Sequence, residues 1–425
     1  MPGRSHTPSL LLLAVMAGLH AHALHASEPA PAASPGDRIC IVGNTFADRL
    51  RVDGYLETWL TTRRPDLQLT VRNLGWSGDT VDIRPRPLNF GSLDEHLTRQ
   101  RADLVLCCFG MSEALDESLD VADFRQSLLQ FVRHLQTQSY NGDAPPQIVL
   151  VAPIALETAD PRIEDANRRA ERLQTITRAI EEVADESSTR FVDLHTLTTQ
   201  LMQESPSQRL TDNGIHPNEY GYWATTATIA DVLVGSAPSW SIEVDAATQS
   251  VTHPAADDDA PLQVKLQPAN TIGEAALRLR VSTSLLPPPA APAESLVHPS
   301  LSQLLPALTV QGLPDGRYRL TIDDTPVAEA DAAQWTAGVT LERLPASRRT
   351  EGLRETIRQK NEWFFHRYRP ANSEYVFGRR TKPFGSVSFP PEMKQFDQLI
   401  ERSDGTIHGQ ARRKRAETWS LHRID

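Results

Sequence analysis

The chain has 425 residues, enough for two or three domains of ordinary size. An apolar share of 40% and a charged share of 23% are those of a globular protein with a real core, which excludes a disordered or collagen-like chain. The balance of 43 Lys plus Arg against 54 Asp plus Glu gives a net charge of −11 and argues against nucleic acid as the main partner. Three cysteines exclude a disulfide scaffold and a C-x2-C zinc site. Cys40, Cys107 and Cys108 stand in apolar, strand-like runs, so buried free thiols are expected. A bridge from Cys40 to the pair is the alternative if those strands are neighbours.

Residues 1–26 read as a signal peptide. Arg4 supplies the positive charge, Leu10 to Leu19 is an apolar run too short to span a bilayer, and small residues follow at Ala23 and Ala26. An amino-terminal anchor is the alternative reading. The expected location is therefore periplasmic or secreted, with no stable membrane span after cleavage. Residues 27–36 read as a Pro/Ala linker with no fold of its own.

From Asp37 short apolar strands alternate with helices. Strands are predicted at Arg38–Val42, Leu67–Asn73, Leu104–Phe109, Ile148–Pro153 and Arg190–Leu194. Phe46, Leu50, Tyr55, Leu56, Trp59 and Leu60 recur at helical spacing. So do Val121, Phe124, Leu128, Val132 and Leu135, and later Ala166, Ala170, Leu173, Ile176, Ile180 and Val183. Strands that are apolar throughout are covered on both faces. The alternation predicts a three-layer α/β domain with a five-stranded parallel sheet of order 2-1-3-4-5 over residues 37–235.

The composition then changes, and residues 236–345 read as a smaller β-rich module. Strands are predicted at Trp240–Val244, Leu262–Leu266, Leu277–Val281, Leu308–Val310 and Tyr318–Ile322. The last two are expected to form a hairpin across Pro314-Asp315-Gly316. Residues 346–425 read as a basic segment, helical over Arg354 to Tyr368 and irregular in the last 50 residues. From Ser347 onward there are 17 Lys plus Arg against 10 Asp plus Glu, compared with 26 against 44 before it. A basic segment docked on an acidic body is the plain reading. The aromatic stretch from Trp363 to Tyr368, with Tyr375 and Phe377, reads as a helix face docked on the α/β body. A base- or sugar-stacking surface is the alternative. Arg412 to Arg415 reads as a solvated basic run, or as a contact for an anionic polysaccharide.

Ligands of a parallel sheet bind beyond the carboxyl ends of its strands. Four polar, glycine-containing segments stand there: Gly43-Asn44-Thr45-Phe46, Asn73 to Thr80, Gly110-Met111-Ser112-Glu113, and Thr211 to Asn218. No phosphate loop, dinucleotide fingerprint or H-E-x-x-H occurs, so no cofactor or metal is implied.

These four blocks, in this order, resemble the SGNH or GDSL-type hydrolases, a family of esterases, lipases and acetylesterases, over about residues 37–235. Gly43-Asn44-Thr45-Phe46 matches the family's Gly-Asp-Ser-Leu block, and Ser77-Gly78-Asp79-Thr80 its second block. Gly110-Met111-Ser112-Glu113 matches Gly-x-Asn-Asp, and Asn213-Gly214-Ile215-His216-Pro217 matches Asp-Gly-x-His-Pro. The resemblance implies a flavodoxin-like α/β/α fold. It places Thr45 as nucleophile, His216 as general base and Asn213 as the residue that orients the imidazole, with Asp212 beside it. The N–H groups of Thr45 and Gly78 and the side chain of Ser112 would form the oxyanion hole.

Three departures fall on the chemistry. Thr45 replaces serine and adds a methyl that stiffens χ1. Asn213 replaces aspartate, and Ser112 replaces asparagine. Glu113 is a candidate acid or base, or a helix cap. Arg84 and Arg86 are a candidate clamp for an anionic substrate group, or a solvated loop. The expected function is hydrolysis of a small-molecule or carbohydrate ester. The alternative is a saccharide- or envelope-binding module on the same fold.

Overall fold

A computed structural model of the chain describes residues 30–86, 90–235, 241–252, 262–267, 276–292, 295, 305–342, 344–370 and 389–425. The expected signal peptide, Tyr375 and Phe377 lie outside these residues.

The first half alternates as its apolar pattern demands. Strand β1 (Arg38–Gly43) leads into α1 (Thr45–Asp53) and α2 (Tyr55–Arg63), followed by β2 (Thr70–Asn73) and α3 (Leu93–Gln100). Then come β3 (Leu104–Cys108), α4 (Met111–Leu115), α5 (Val121–Gln136), β4 (Gln147–Val151), α6 (Ala166–Ser187), β5 (Arg190–Val192), α7 (Leu194–Glu204) and α8 (Glu219–Val234). The strands form an all-parallel sheet of order β2-β1-β3-β4-β5, with Ile39 opposite Leu104 and Val149 opposite Arg190. The single helix expected from Phe46 to Leu60 is two helices. Gly54 sits between them with φ 71°, a left-handed conformation that ends one helix and starts the next.

The linker reading is corrected from Pro31 onward. Ala32 and Ala33 are buried, and their N–H groups donate to the carbonyls of Val232 and Leu233 at 3.2 and 2.8 Å. They thereby satisfy carbonyls at the end of α8 that have no intrahelical partner. The three thiols are buried and free, and burial pushes Cys40 and Cys107 up to about 12. Although β1 and β3 are neighbours, Cys40 stands opposite Val105, not opposite a cysteine.

The second half contains β6 (Ile242–Asp245), β7 (Ser250–Thr252), β8 (Leu262–Gln267), β9 (Leu277–Thr283), β10 (Ala307–Gln311), β11 (Arg317–Ile322), β12 (Thr325–Asp331), α9 (Ala332–Ala337) and β13 (Val339–Thr340). Helices α10 (Ser347–Tyr368) and α11 (Phe389–Ala411) follow, then β14 (Arg415–Arg423). One sheet runs β13-β10-β6-β7 and the other β12-β11-β14-β9-β8.

Two expectations fail here. Strands β10 and β11 do not form a hairpin, because β10 pairs in parallel with β6 while β11 belongs to the other sheet. The hairpin is β11–β12, turned at Asp323-Asp324 with φ 45° and 65°, the double left-handed turn that suits strand twist. The last 50 residues are not irregular. They hold α11 and also β14, which pairs with both β9 and β11 and buries Trp419 and Leu421 in the β-rich core.

Helices α10 and α11 dock on the α/β body. Phe364, Tyr368 and Ile400 join its core, so the aromatic stretch is a packed face, while Arg412 to Arg415 are exposed. The docking also buries charge. Lys360, 0% exposed, donates to Glu57, and Arg72 meets Asp404 at 2.5 Å. Three side chains of α10 reach the open carbonyls at the end of α1. Asn361, Arg358 and Arg354 donate to Arg51, Val52 and Asp53, each at 3.1 Å. Two of the three are cationic, the sign that a helix C-terminus favours.

Candidate active site

Each block is fixed by backbone needs before any chemistry is considered. Gly43 has φ 133°, and a Cβ there would lie 2.1 Å from the Cys108 carbonyl oxygen, so glycine lets β1 end tightly against β3. The Asn44 side chain accepts from Phe46 N–H at 3.1 Å and caps α1, which sets Thr45 as its first residue. In the second block, a Cβ on Gly75 would meet the N of Asp48 at 2.7 Å. Asp48, three residues after Thr45, accepts from Ser77 N–H at 3.2 Å and Ser77 Oγ at 2.7 Å. The fourth block is closed by a Thr211–Pro217 bridge and by Gly214 N–H donating to Thr211 Oγ1 at 2.8 Å. Glu157, before α6, holds it from behind. Glu157 accepts from Leu210 N–H at 2.7 Å, from Arg209 at 3.1 Å and from Thr211 Oγ1.

Three blocks meet in a pocket of about 140 Å³. Thr45, Ser112 and His216 are its polar side chains apart from Asn44, which caps α1, and Phe46, Cys108, Met111, Leu115, Ile154 and Ile215 are among its apolar walls. Among the described residues the hydroxyls of Thr45 and Ser112 make no hydrogen bond. Gly78 is exposed, with φ 84°, and is not part of this lining. Asn213 stands behind the imidazole, its Nδ2 3.0 Å from His216 Nδ1.

Residues 40–224 match the GDSL-like Lipase/Acylhydrolase family. This stretch is a GDSL-like acylhydrolase domain. No curated protein matches the chain. Among solved structures, a gut microbial diltiazem-metabolizing enzyme is similar over 93% of this chain and 100% of its own, with a TM-score of 0.66 at 16% identity. It shares the fold of nearly the whole chain. Axe2, an acetylxylan esterase from Geobacillus stearothermophilus, matches over 48% of this chain and 96% of its own, with a TM-score of 0.38 at 18% identity. A lipase/acylhydrolase from Enterococcus faecalis matches over 46% and 93%, with a TM-score of 0.35 at 20% identity.

Within the GDSL-like domain the Asn213–His216 contact has a defined polarity. Asn213 Oδ1 accepts from the N–H groups of Ile215 and His216 at 3.3 and 2.9 Å. Turning the amide over would set NH2 against two N–H donors, so its orientation is fixed by the turn. Nδ2 therefore donates to His216 Nδ1, and the neutral ring carries its proton on Nε2. A general base toward Thr45 needs the opposite tautomer. An aspartate here has two oxygens and serves both the turn and the ring; asparagine has one, and the turn takes it.

Four other candidates take other roles. Among the described residues the Asp212 side chain makes no hydrogen bond to the ring; it is exposed, 3.9 Å from Arg49. Glu113 is 3% exposed and caps α4, accepting from Gly110 N–H at 2.8 Å and Val81 N–H at 2.9 Å. Burial pushes its carboxyl up. Arg86 is held by Asp79 at 2.8 and 2.5 Å and lies over Trp76 at 4.3 Å. Arg84 donates to the Val81 carbonyl and lies over Phe131 at 5.0 Å. None of the two arginines is an unengaged clamp.

One arginine was not anticipated. Arg369, just after α10, donates to the Gly75 carbonyl and to Asp48 Oδ1 at 3.2 Å, and lies 4.0 Å over Trp76. It ties the second block to α1 from a point 294 residues away. Burial opposes ionisation of Asp48, but Ser77 and Arg369 together hold its carboxyl below the usual range. No sequence signal pairs residues so distant. Among the described residues no group of three His, Cys, Asp or Glu is arranged to hold a metal.

Burial, then the positive charge of Arg49, lowers His216 from its ordinary value of 6.5, while Asp212 works the other way. A lowered value keeps the ring neutral further into acid. The acid limb of kcat/KM is therefore expected below the ordinary imidazole range, because base activity is lost only as pH falls through the lowered value. Arg49→Ala should move the limb up and Asp212→Ala should move it down, as read in pH–rate profiles. Limbs that stay fixed in both variants would show that His216 does not set them.

Proposed function

We propose that this protein is an exported ester hydrolase that transfers a short acyl group from a small-molecule or carbohydrate ester to Thr45 and then to water. The observation that carries this reading is the pocket that joins Thr45, Ser112 and His216 beside an apolar wall. In the first step Thr45 Oγ1 bonds to the acyl carbon, and its proton passes to His216 Nε2. That proton then goes to the leaving alkoxide. Water repeats the sequence and releases the acid. The N–H of Thr45 and the hydroxyl of Ser112 are available to the tetrahedral oxyanion. The step requires the ring first to move its proton from Nε2 to Nδ1, against the Asn213 amide, so turnover is slow in the natural chain.

The same contact favours a second reading, a binding module that keeps the cleft without turnover. Purified full-length protein should hydrolyse a short-chain aryl ester and take up an acyl-directed phosphonate on Thr45, both lost in Thr45→Ala. Absence of turnover and label sinks the hydrolase. Label on another residue sinks the role of Thr45. Export is tested by N-terminal sequencing of the protein from medium or periplasm; an intact Met1 in the cytoplasm would overturn it. Among the described residues no helix is long and apolar enough to cross a membrane.

A further inference from the structure

We infer that the Thr45–Ser112–His216 pocket binds a short-chain carboxylate anion, with His216 Nε2–H as a fixed hydrogen-bond donor. The argument starts from the polarity that Asn213 imposes. With Nδ1 occupied as an acceptor, Nε2 is the nitrogen left to face the pocket, and it presents a proton rather than a lone pair. Thr45 and Ser112, which line the same pocket, bring three further donors. Thr45 is the first residue of α1, so its N–H has no intrahelical acceptor, while the next N–H, of Phe46, is already taken by Asn44. The hydroxyls of Thr45 and Ser112 rotate freely to donate.

No Asp or Glu lines the pocket, so no carboxylate of the lining repels an anion. An ionised carboxylate accepts at both oxygens and offers no donor, which matches a pocket whose lining supplies four donors. Of the charged groups whose field reaches the ring, Arg49 favours an anion and Asp212 opposes it; these two stand 3.9 Å apart. Phe46, Cys108, Met111, Leu115, Ile154 and Ile215 supply the apolar surface that a short alkyl chain needs, and about 140 Å³ limits its length. Binding needs no turnover. Where the hydrolase reading holds, the anion is the acid released in its last step, and the enzyme is inhibited by its product.

The test uses one substitution with opposite effects on two readouts. Butyrate is titrated calorimetrically into the full chain and into Asn213→Asp, and ester hydrolysis is measured on the same two proteins. In Asn213→Asp the new carboxylate accepts from Nδ1–H, Nε2 becomes a lone pair, and an added negative charge stands behind the ring. Butyrate affinity should fall by tenfold or more, while neutral butyramide changes far less. Ser112→Ala, which leaves the Asn213 turn untouched, should also weaken butyrate by about tenfold. Long-range ¹⁵N spectra of the natural protein should place the ring proton on Nε2. Equal butyrate affinity in the natural chain and Asn213→Asp, or no binding at millimolar butyrate, overturns the inference. Butyrate binding without turnover sustains it and sinks the hydrolase. Turnover without butyrate binding does the reverse.

Discussion

Asn213→Asp is expected to raise kcat/KM on a short-chain aryl ester by about 10²–10⁴-fold. The opposite change, Asp→Asn in a serine-protease triad, costs about 10⁴ through the wrong tautomer, which sets the upper end. The lower end reflects Thr45 and Ser112, which still bring a crowding methyl and a short oxyanion donor. The substitution needs no rearrangement. One carboxylate oxygen keeps the N–H groups of Ile215 and His216, and the other takes Nδ1–H across the present 3.0 Å contact. The control is His216→Ala in both backgrounds. It should erase the whole gain in the Asn213→Asp chain and cost far less in the natural one, because residues that act as a unit are not additive. Steady-state kinetics of the four proteins decides the matter. A gain below about threefold would show that Asn213 does not limit turnover.

Lys360→Ala is expected to destabilise the fold by about 3–5 kcal/mol, the usual result of stranding one partner of a buried pair. Lys360 is fully buried, donates to Glu57 Oε2, and reaches the Val71 carbonyl at 3.2 Å. Glu57 is itself 3% exposed, and its other oxygen has no hydrogen-bond partner among the described residues, so no second donor replaces the lysine. Urea unfolding of the natural chain and the variant measures the difference. Lys360→Met combined with Glu57→Gln should lose much less, since no buried charge is then left alone. A loss below about 1 kcal/mol in Lys360→Ala would mean that water reaches Glu57 once the lysine is gone.

Much of the α/β domain was legible because doubly covered strands are continuous apolar runs. The strands expected at Leu104–Phe109 and Ile148–Pro153 are found at Leu104–Cys108 and Gln147–Val151. The positions of the site were legible for a related reason: turns at strand ends leave glycines and caps at fixed offsets. What escaped was the polarity of Asn213. That depends on which atom the turn takes, and no spacing reveals it. The β-rich half was read less well. Strand β14 carries only Trp419 and Leu421 as large apolar residues and also buries Glu417 and Ser420, so its alternation is faint. Its partners β9 and β11 lie some 100 residues or more upstream, beyond any local pattern. The Pro-Asp-Gly turn drew attention from Asp323-Asp324, whose left-handed backbone glycine ordinarily supplies.

The grip of α10 on α1 has a consequence in time. Asn361 is synthesised 310 residues after Arg51, whose carbonyl it caps. At about 5–20 residues per second, that interval is roughly 15–60 s. The α/β domain therefore emerges with the end of α1 open and with no Arg369 to hold Gly75 against Asp48. A nascent or truncated chain ending before Ser347 has the sheet and all four blocks but none of these braces. Completion of the chain, rather than formation of the sheet, is the event that braces the end of α1 and ties the second block to it.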